Sequence, residues 1–149
     1  MVDKSKVGLT DEPATMPLER GKIREFAKAC QSTNPAYVDE PRPPVPPTFL
    51  TTVNFWMGSG TSPLTQLGID LRRLLHGGQE YVFHGPPPTA GTDVTFQTRV
   101  DKIYEKEGKR GGTMTFIETV TEFRDPGGRL VAEARSTAIE TGQAPTEGS

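Results

Sequence analysis

At 149 residues the chain suits a single domain. Only 33% of it is hydrophobic, so the core is modest and a subunit interface is expected to supplement it. A net charge of -2, with lysines and arginines scattered, argues against a nucleic-acid footprint. No apolar run approaches the roughly 18 residues of a membrane span, and the N-terminus lacks a signal-peptide h-region.

Residues 1–16 are polar and are expected to pack loosely at an edge. Pro17 and Glu19 are start signals for a helix running to about Gln31. Ile23, Phe26, Ala27 and Cys30 then share one helical face. Cys30, the single cysteine, permits no internal disulfide and fits a reducing cytoplasm. On that face it reads as a small core hydrophobe rather than a nucleophile.

Asn34 stands before Pro35 and marks a break in the helix. The run Pro41–Pro47 reads as a stiff connector rather than a ligand for proline-binding domains. From Thr48 to about Gly58 the sequence predicts a second helix, with Thr48 as its cap. Phe49, Leu50, Val53, Trp56 and Met57 surround most of its circumference, which predicts burial, with Trp56 most simply in the core and, as the alternative, closing the far end of a ligand channel. Residues 65–75 allow a further turn of helix.

Beyond this point the pattern has period two. It predicts a strand at Gln79–His84 and long strands over 92–104, 113–123 and 129–140, with turns at 105–112 and 125–128. In the third of these strands Met114, Phe116 and Val120 share a parity that Glu118 interrupts. In the last, Leu130, Ala132, Ala134, Ser136 and Ala138 form a small-residue face that lets a helix approach closely. Residues 142–149 read as a disordered tail. The expected architecture is α+β, a mostly antiparallel sheet of these four strands, with an N-terminal strand as an optional fifth, curled round one apolar helix.

That arrangement resembles a single hot-dog domain, a curved antiparallel sheet wrapped around one long buried helix. Local strings narrow the resemblance. Ser32-Thr33-Asn34-Pro35-Ala36-Tyr37 occupies the frame Asp-x-Asn-Pro-x-His of MaoC-like (R)-specific hydratases and dehydratases. The Asn-Pro pair matches, while Ser32 and Tyr37 stand at the aspartate and histidine positions. Pro46-Pro47-Thr48-Phe49, Leu75 to Tyr81, His84 with Gly91-Thr92-Asp93, and Gly111 to Phe116 are similar to the non-catalytic, FAS1-like dehydratase branch. The resemblance spans roughly residues 5–141.

It implies binding of an acyl-CoA or acyl-carrier-protein thioester, with no cofactor and no metal. In the family, backbone N–H groups at the start of the buried helix steady the thioester oxygen. The aspartate and histidine carry the proton transfers. Serine is no general base alone and an ordinary phenol titrates near pH ~10, so no catalytic residue is expected. Asn34, Tyr37, Thr48, Phe49 and His76 are the substrate-binding candidates implied by the resemblance. Non-catalytic subunits of the family pair with a catalytic one, so a homodimer or a heterodimer with a catalytic MaoC-like subunit is expected. The alternatives are a self-sufficient homodimeric hydratase, a hot-dog thioesterase using Asp39 or Glu40, and a non-enzymatic acyl-CoA-binding protein. His84 reads as a structural hydrogen-bonding residue, and Gly77-Gly78 is no phosphate loop.

Overall fold

A computed structural model describes residues 2–58, 62–108 and 112–142. Its centre is a five-stranded antiparallel sheet in the order β1-β3-β4-β5-β2. The strands are β1 (Ala14–Pro17), β2 (Leu74–Phe83), β3 (Asp93–Glu107), β4 (Thr113–Arg124) and β5 (Leu130–Glu140). Every pairing is antiparallel, and the curved sheet with few helices is the expected α+β hot-dog class.

The N-terminal segment is bound to this sheet rather than loose. β1 pairs with β3 and buries Met16 completely. Val2 joins the core, and buried Asp11 accepts the Thr98 backbone N–H at 2.7 Å. Pro17 therefore ends a strand, and helix α1 (Arg20–Ala29) starts later than proline at a first turn suggested.

α1 also ends earlier than the Asn-Pro pair implied. Gln31 adopts φ +58°, the one non-glycine positive φ among the described residues. The Ser32 N–H donates to Ala27 O and the Gln31 N–H to Lys28 O, both at 2.9 Å. This is a Schellman closure with glutamine in the left-handed position. It lifts Cys30 off the apolar face, so the cysteine is exposed and not part of the core. Asn34 instead caps the single turn α2 (Pro35–Val38) by accepting the Ala36 N–H at 3.0 Å.

The proline run behaves as a connector fixed in place. The Val45 N–H donates to Pro88 O at 3.0 Å, and the Ala90 N–H to Pro43 O at 2.9 Å. Val45 and Pro43 are fully buried beneath it.

The helix that follows differs from the expectation. Phe49–Phe55 is a seven-residue 3-10 helix, not a long α-helix. Threonines 51 and 52 and Val53 are β-branched and weak helix formers, and the pinned proline run fixes where the helix starts. Phe49, Leu50 and Val53 pack on the sheet, while Phe55 is 86% and Trp56 37% exposed. The helix is thus buried on one side only, and Trp56 is a rim residue rather than core. Further single 3-10 turns at Pro63–Gln66 and Leu71–Arg73 lead into β2.

The concave face alternates along each strand. Phe96, Phe123, Ala132 and Phe83 lie opposite one another across β3, β4, β5 and β2, and form the floor of the larger core cluster. Further along, Ile103, Ile117, Ala138 and His76 are aligned, the first three within a second cluster with Val2 and Leu67. The small residues Ala132 and Ala134 do sit beneath the central helix, as their face suggested. The parity of Met114, Phe116 and Val120 is the outer one, which accounts for Glu118: its carboxylate accepts the Tyr104 hydroxyl at 2.9 Å and meets Lys102 at 3.3 Å. The turn expected at 105–112 and the tail at 142–149 lie partly outside the described residues.

Candidate functional site

Between the two apolar clusters the concave face turns polar. Thr98, Thr121, Ala134 and Tyr81 face one another across four strands. The next row is Val100, Thr119, Ser136 and Gln79. Directly opposed side chains in an antiparallel sheet stand about 5 Å apart. Thr119, Ser136 and Gln79 therefore form an unbroken polar ladder over β4, β5 and β2.

This band floors a cleft of about 270 Å³. One wall is the central helix, through Leu50, Val53 and Asn54, and Met57 follows it. His76 stands at the mouth, carried inward by a bulge between His76 and Gly78 on β2. Gly77 occupies the bulge because a Cβ there would lie 2.8 Å from Ile139 Cδ1 and 3.1 Å from the Thr137 carbonyl oxygen.

Among the described residues no aspartate, glutamate, lysine or arginine lines the cleft. Thr98 and Thr121 bond each other through their hydroxyls at 2.9 Å. None of the described side-chain hydrogen bonds uses the polar groups of His76, Gln79, Tyr81, Thr119 or Ser136. They are not sealed from solvent either, because the one buried side-chain polar atom without a partner among the described residues is Thr52 Oγ1. Such groups must be solvated or bound to a ligand.

The candidates named from the sequence are spread over three places. His76 is in the cleft. Phe49 is on the opposite side of the central helix, edge-to-face with Phe26 at 5.4 Å. There, Phe26, Thr52 and Trp56 help line an apolar groove of about 350 Å³ between α1 and the central helix. Asn34 caps α2 and Tyr37 lies within it, and none of the described hydrogen bonds or cavity linings joins them to Phe49 or His76.

Two local details bear on the expected chemistry. Thr48 makes no side-chain cap, and the Phe49 N–H already donates to Pro46 O at 3.0 Å, so it is committed within the turn. The Ser32 hydroxyl oxygen accepts the Asn34 N–H at 3.4 Å, a weak turn contact. Asp39 and Glu40 are exposed, and neither lines the cleft.

The outer face of the sheet has the opposite character. Arg135 bridges Glu80 at 3.5 Å and Glu133 at 3.2 Å, and Arg99 meets Asp101 at 2.9 Å. His84 Nε2 contacts Glu133 Oε2 at 2.8 Å, the structural hydrogen bond expected of it, and holds the Glu133 carboxyl below its ordinary range. These charges satisfy one another as a solvated ionic surface. No group of histidine, cysteine, aspartate and glutamate among the described residues is arranged to hold a metal ion. No described helix is long and apolar enough to cross a membrane.

Sequence reasoning missed Tyr81, Thr98, Thr119, Thr121 and Ser136 as cleft residues. The signal was the other parity of the strand expected over 113–123, on which Thr119 and Thr121 lie between Ile117 and Phe123. Hydroxyls on a core-facing parity distinguish a cleft floor from plain core.

The family model for the FAS1-like dehydratase domain region matches residues 5–134. A UPF0336 protein of Streptomyces coelicolor is 35% identical over 143 residues, covering 89% of this chain and 91% of that protein. Among solved structures, the C-terminally truncated HadBC (3R)-hydroxyacyl-ACP dehydratase complex of Mycobacterium tuberculosis aligns with a TM-score of 0.72 at 22% identity, covering 90% of this chain and 96% of that one. The ChsH1-ChsH2 complex of the same organism aligns with a TM-score of 0.71 at 20% identity, covering 97% and 89%. At such identities these structures establish the shared hot-dog architecture. The family match over most of the chain shows that the protein belongs to the FAS1-like dehydratase family.

Proposed function

We propose that the chain is the acyl-thioester-binding subunit of an (R)-specific enoyl-thioester hydratase or 3-hydroxyacyl-thioester dehydratase, and that a hot-dog partner supplies the proton-transferring aspartate and histidine. The observation that carries this reading is the lack of a carboxylate among the described residues that line the cleft, which include His76 and Tyr81. Hydration of an enoyl thioester needs one group to activate water and another to protonate the α-carbon. Each such group is worth on the order of 10²–10⁴ in rate. A cleft lacking the carboxylate binds without efficiently turning over. Serine at position 32 and tyrosine at position 37 supply no replacement dyad.

The partner half of the reading is supported by the two neighbouring structures, each of which is a complex of differently named subunits. Asn34, Tyr37, Thr48 and Phe49 remain in the proposal as residues bordering the path of the acyl or pantetheine portion, with His76 at the cleft mouth.

The test is hydration of crotonyl-CoA by the chain alone and by the chain coexpressed with a hot-dog protein carrying intact Asp-x-Asn-Pro-x-His. The pair is expected to turn over and the lone chain to be at least about 10²-fold slower, the lower bound for losing one acid–base group. Equal rates for the two refute the reading. Tight acyl-CoA binding without a partner or turnover would instead identify a non-enzymatic acyl-CoA-binding protein.

A further inference from the structure

We propose that the Gln79–Ser136–Thr119 ladder makes this subunit selective for acyl groups bearing a further neutral oxygen substituent, a hydroxyl or ketone beyond the β-carbon, over groups that are plain alkyl there. The inference deepens the acyl-thioester reading above and rests on it.

A cleft for a hydrocarbon chain would continue the apolar surface of the clusters on either side. Here the sheet is apolar at Phe96, Phe123 and Ala132, polar for two rows, and apolar again at Ile103, Ile117 and Ala138. The interruption lines the cleft. Thr119 is only 7% exposed, although its hydroxyl bonds to no described side chain. Ser136 beside it and Gln79 on the edge strand extend the same row.

The chemistry of the row sets the class of ligand. Two hydroxyls and a carboxamide can each donate and accept, so they suit either a hydroxyl or a carbonyl oxygen. An alkyl chain would displace their water and return no hydrogen bond. Sites built to bind a substrate hydroxyl reject the analogue lacking it far more strongly than apolar pockets reject an extra one. A carboxylate substituent is disfavoured as well, because no lysine or arginine among the described residues lines the cleft to pair with it. Size adds a limit. At about 30 Å³ per water, a cleft of about 270 Å³ displaces roughly nine waters and suits a short acyl group.

The test measures equilibrium binding to the full chain of hexanoyl-CoA, of 4-, 5- and 6-hydroxyhexanoyl-CoA, of 5-oxohexanoyl-CoA and of adipoyl-CoA. At least one neutral oxygenated probe is expected to bind about tenfold or more tighter than hexanoyl-CoA, with adipoyl-CoA no tighter than hexanoyl-CoA. The double variant Thr119→Val with Ser136→Ala, checked for fold by circular dichroism, is expected to bring the best probe to within about twofold of hexanoyl-CoA. Gln79→Leu, at an exposed position that does not endanger folding, is expected to reduce the preference on its own. Hexanoyl-CoA binding at least as tightly as every oxygenated probe overturns the inference alone, as does a preference that survives both variants. Failure of every acyl-CoA to compete with free CoA overturns the acyl-thioester reading, and the inference falls with it.

Discussion

Gly77 and Gly78 are adjacent glycines on an edge strand, and the fold treats them differently. A Cβ on Gly77 would stand 2.8 Å and 3.0 Å from the Ile139 side chain and 3.1 Å from the backbone oxygen of Thr137. The Ile139 methyl can rotate away, but the Thr137 oxygen belongs to β5 and moves only with the strand. A Cβ on Gly78 meets nothing within 4 Å. Neither residue has a positive φ, so backbone strain does not separate them. Gly77→Ala is therefore an overpacking change, costing about 1–3 kcal/mol. Gly78→Ala should be within about 0.5 kcal/mol of the parent, or slightly stabilising because it restricts the unfolded chain. In urea, with m of about 2 kcal/mol/M, the two midpoints should differ by roughly 0.5–1.5 M at unchanged m. A domain of this size loses about 2–4 °C of Tm per kcal/mol, so thermal melts provide a second reading. Equal midpoints for the two variants would refute the bulge packing, and with it the account of how His76 comes to face the cleft.

Leu50→Ala removes a fully buried side chain from the underside of the central helix and should cost about 2–5 kcal/mol, whereas Phe55→Ala at an exposed position should stay within about 0.5 kcal/mol; calorimetric melts distinguish this one-sided helix from one buried all round. Burial pushes the Asp11 carboxyl up, against the pull of its Thr98 hydrogen bonds, so the native state holds its proton more readily than the unfolded chain and stability falls as pH rises from about 4 through the raised value. Asp11→Asn keeps an acceptor for the Thr98 N–H and should match or exceed the parent in urea at pH 7, while Asp11→Ala should lose about 1–3 kcal/mol. Hydrogen bonds from Arg72 lower the Asp70 carboxyl to about 2, so its stabilisation is complete above the unfolded value near ~3.9 and disappears as pH falls toward 2. Asp70→Asn should flatten that part of the acid-unfolding curve.

The sheet was legible because its cause is local. Period-two alternation and the turn chemistry of Asp125 to Gly128 act within a few residues, and the structure has strands on either side of that turn. The α1 boundary was not legible, since a Schellman closure on Gln31 uses a residue with no marked preference for positive φ. The cleft was half legible. His76 was selected through its string, but choosing the inward parity of β4 requires knowing that Tyr104 stacks on Phe116 on the outer face at 5.1 Å. An aromatic pair with Lys106 lying over both rings satisfies an outer surface as well as a core does. Apolarity alone therefore pointed to the wrong side.

The shortness of the central helix explains why a cleft exists at all. Seven residues of 3-10 helix advance about 14 Å at ~2 Å each. β3, with fifteen residues at ~3.4 Å, has a contour of about 50 Å. The helix therefore covers less than a third of the length of the strand it packs over. Its side chains seal the sheet at Phe96, Phe123 and Ala132, while Val2, Leu64 and Leu67 seal it at Ile117 and Ala138. The uncovered stretch between the two seals contains Thr98, Thr119, Thr121 and Ser136, residues that apolar contacts alone would not satisfy. Extending the helix by two turns would bring apolar side chains over these hydroxyls and displace their solvent. A short helix and a polar band are thus mutually consistent features of the fold, and the cleft lies where the helix leaves the concave face uncovered.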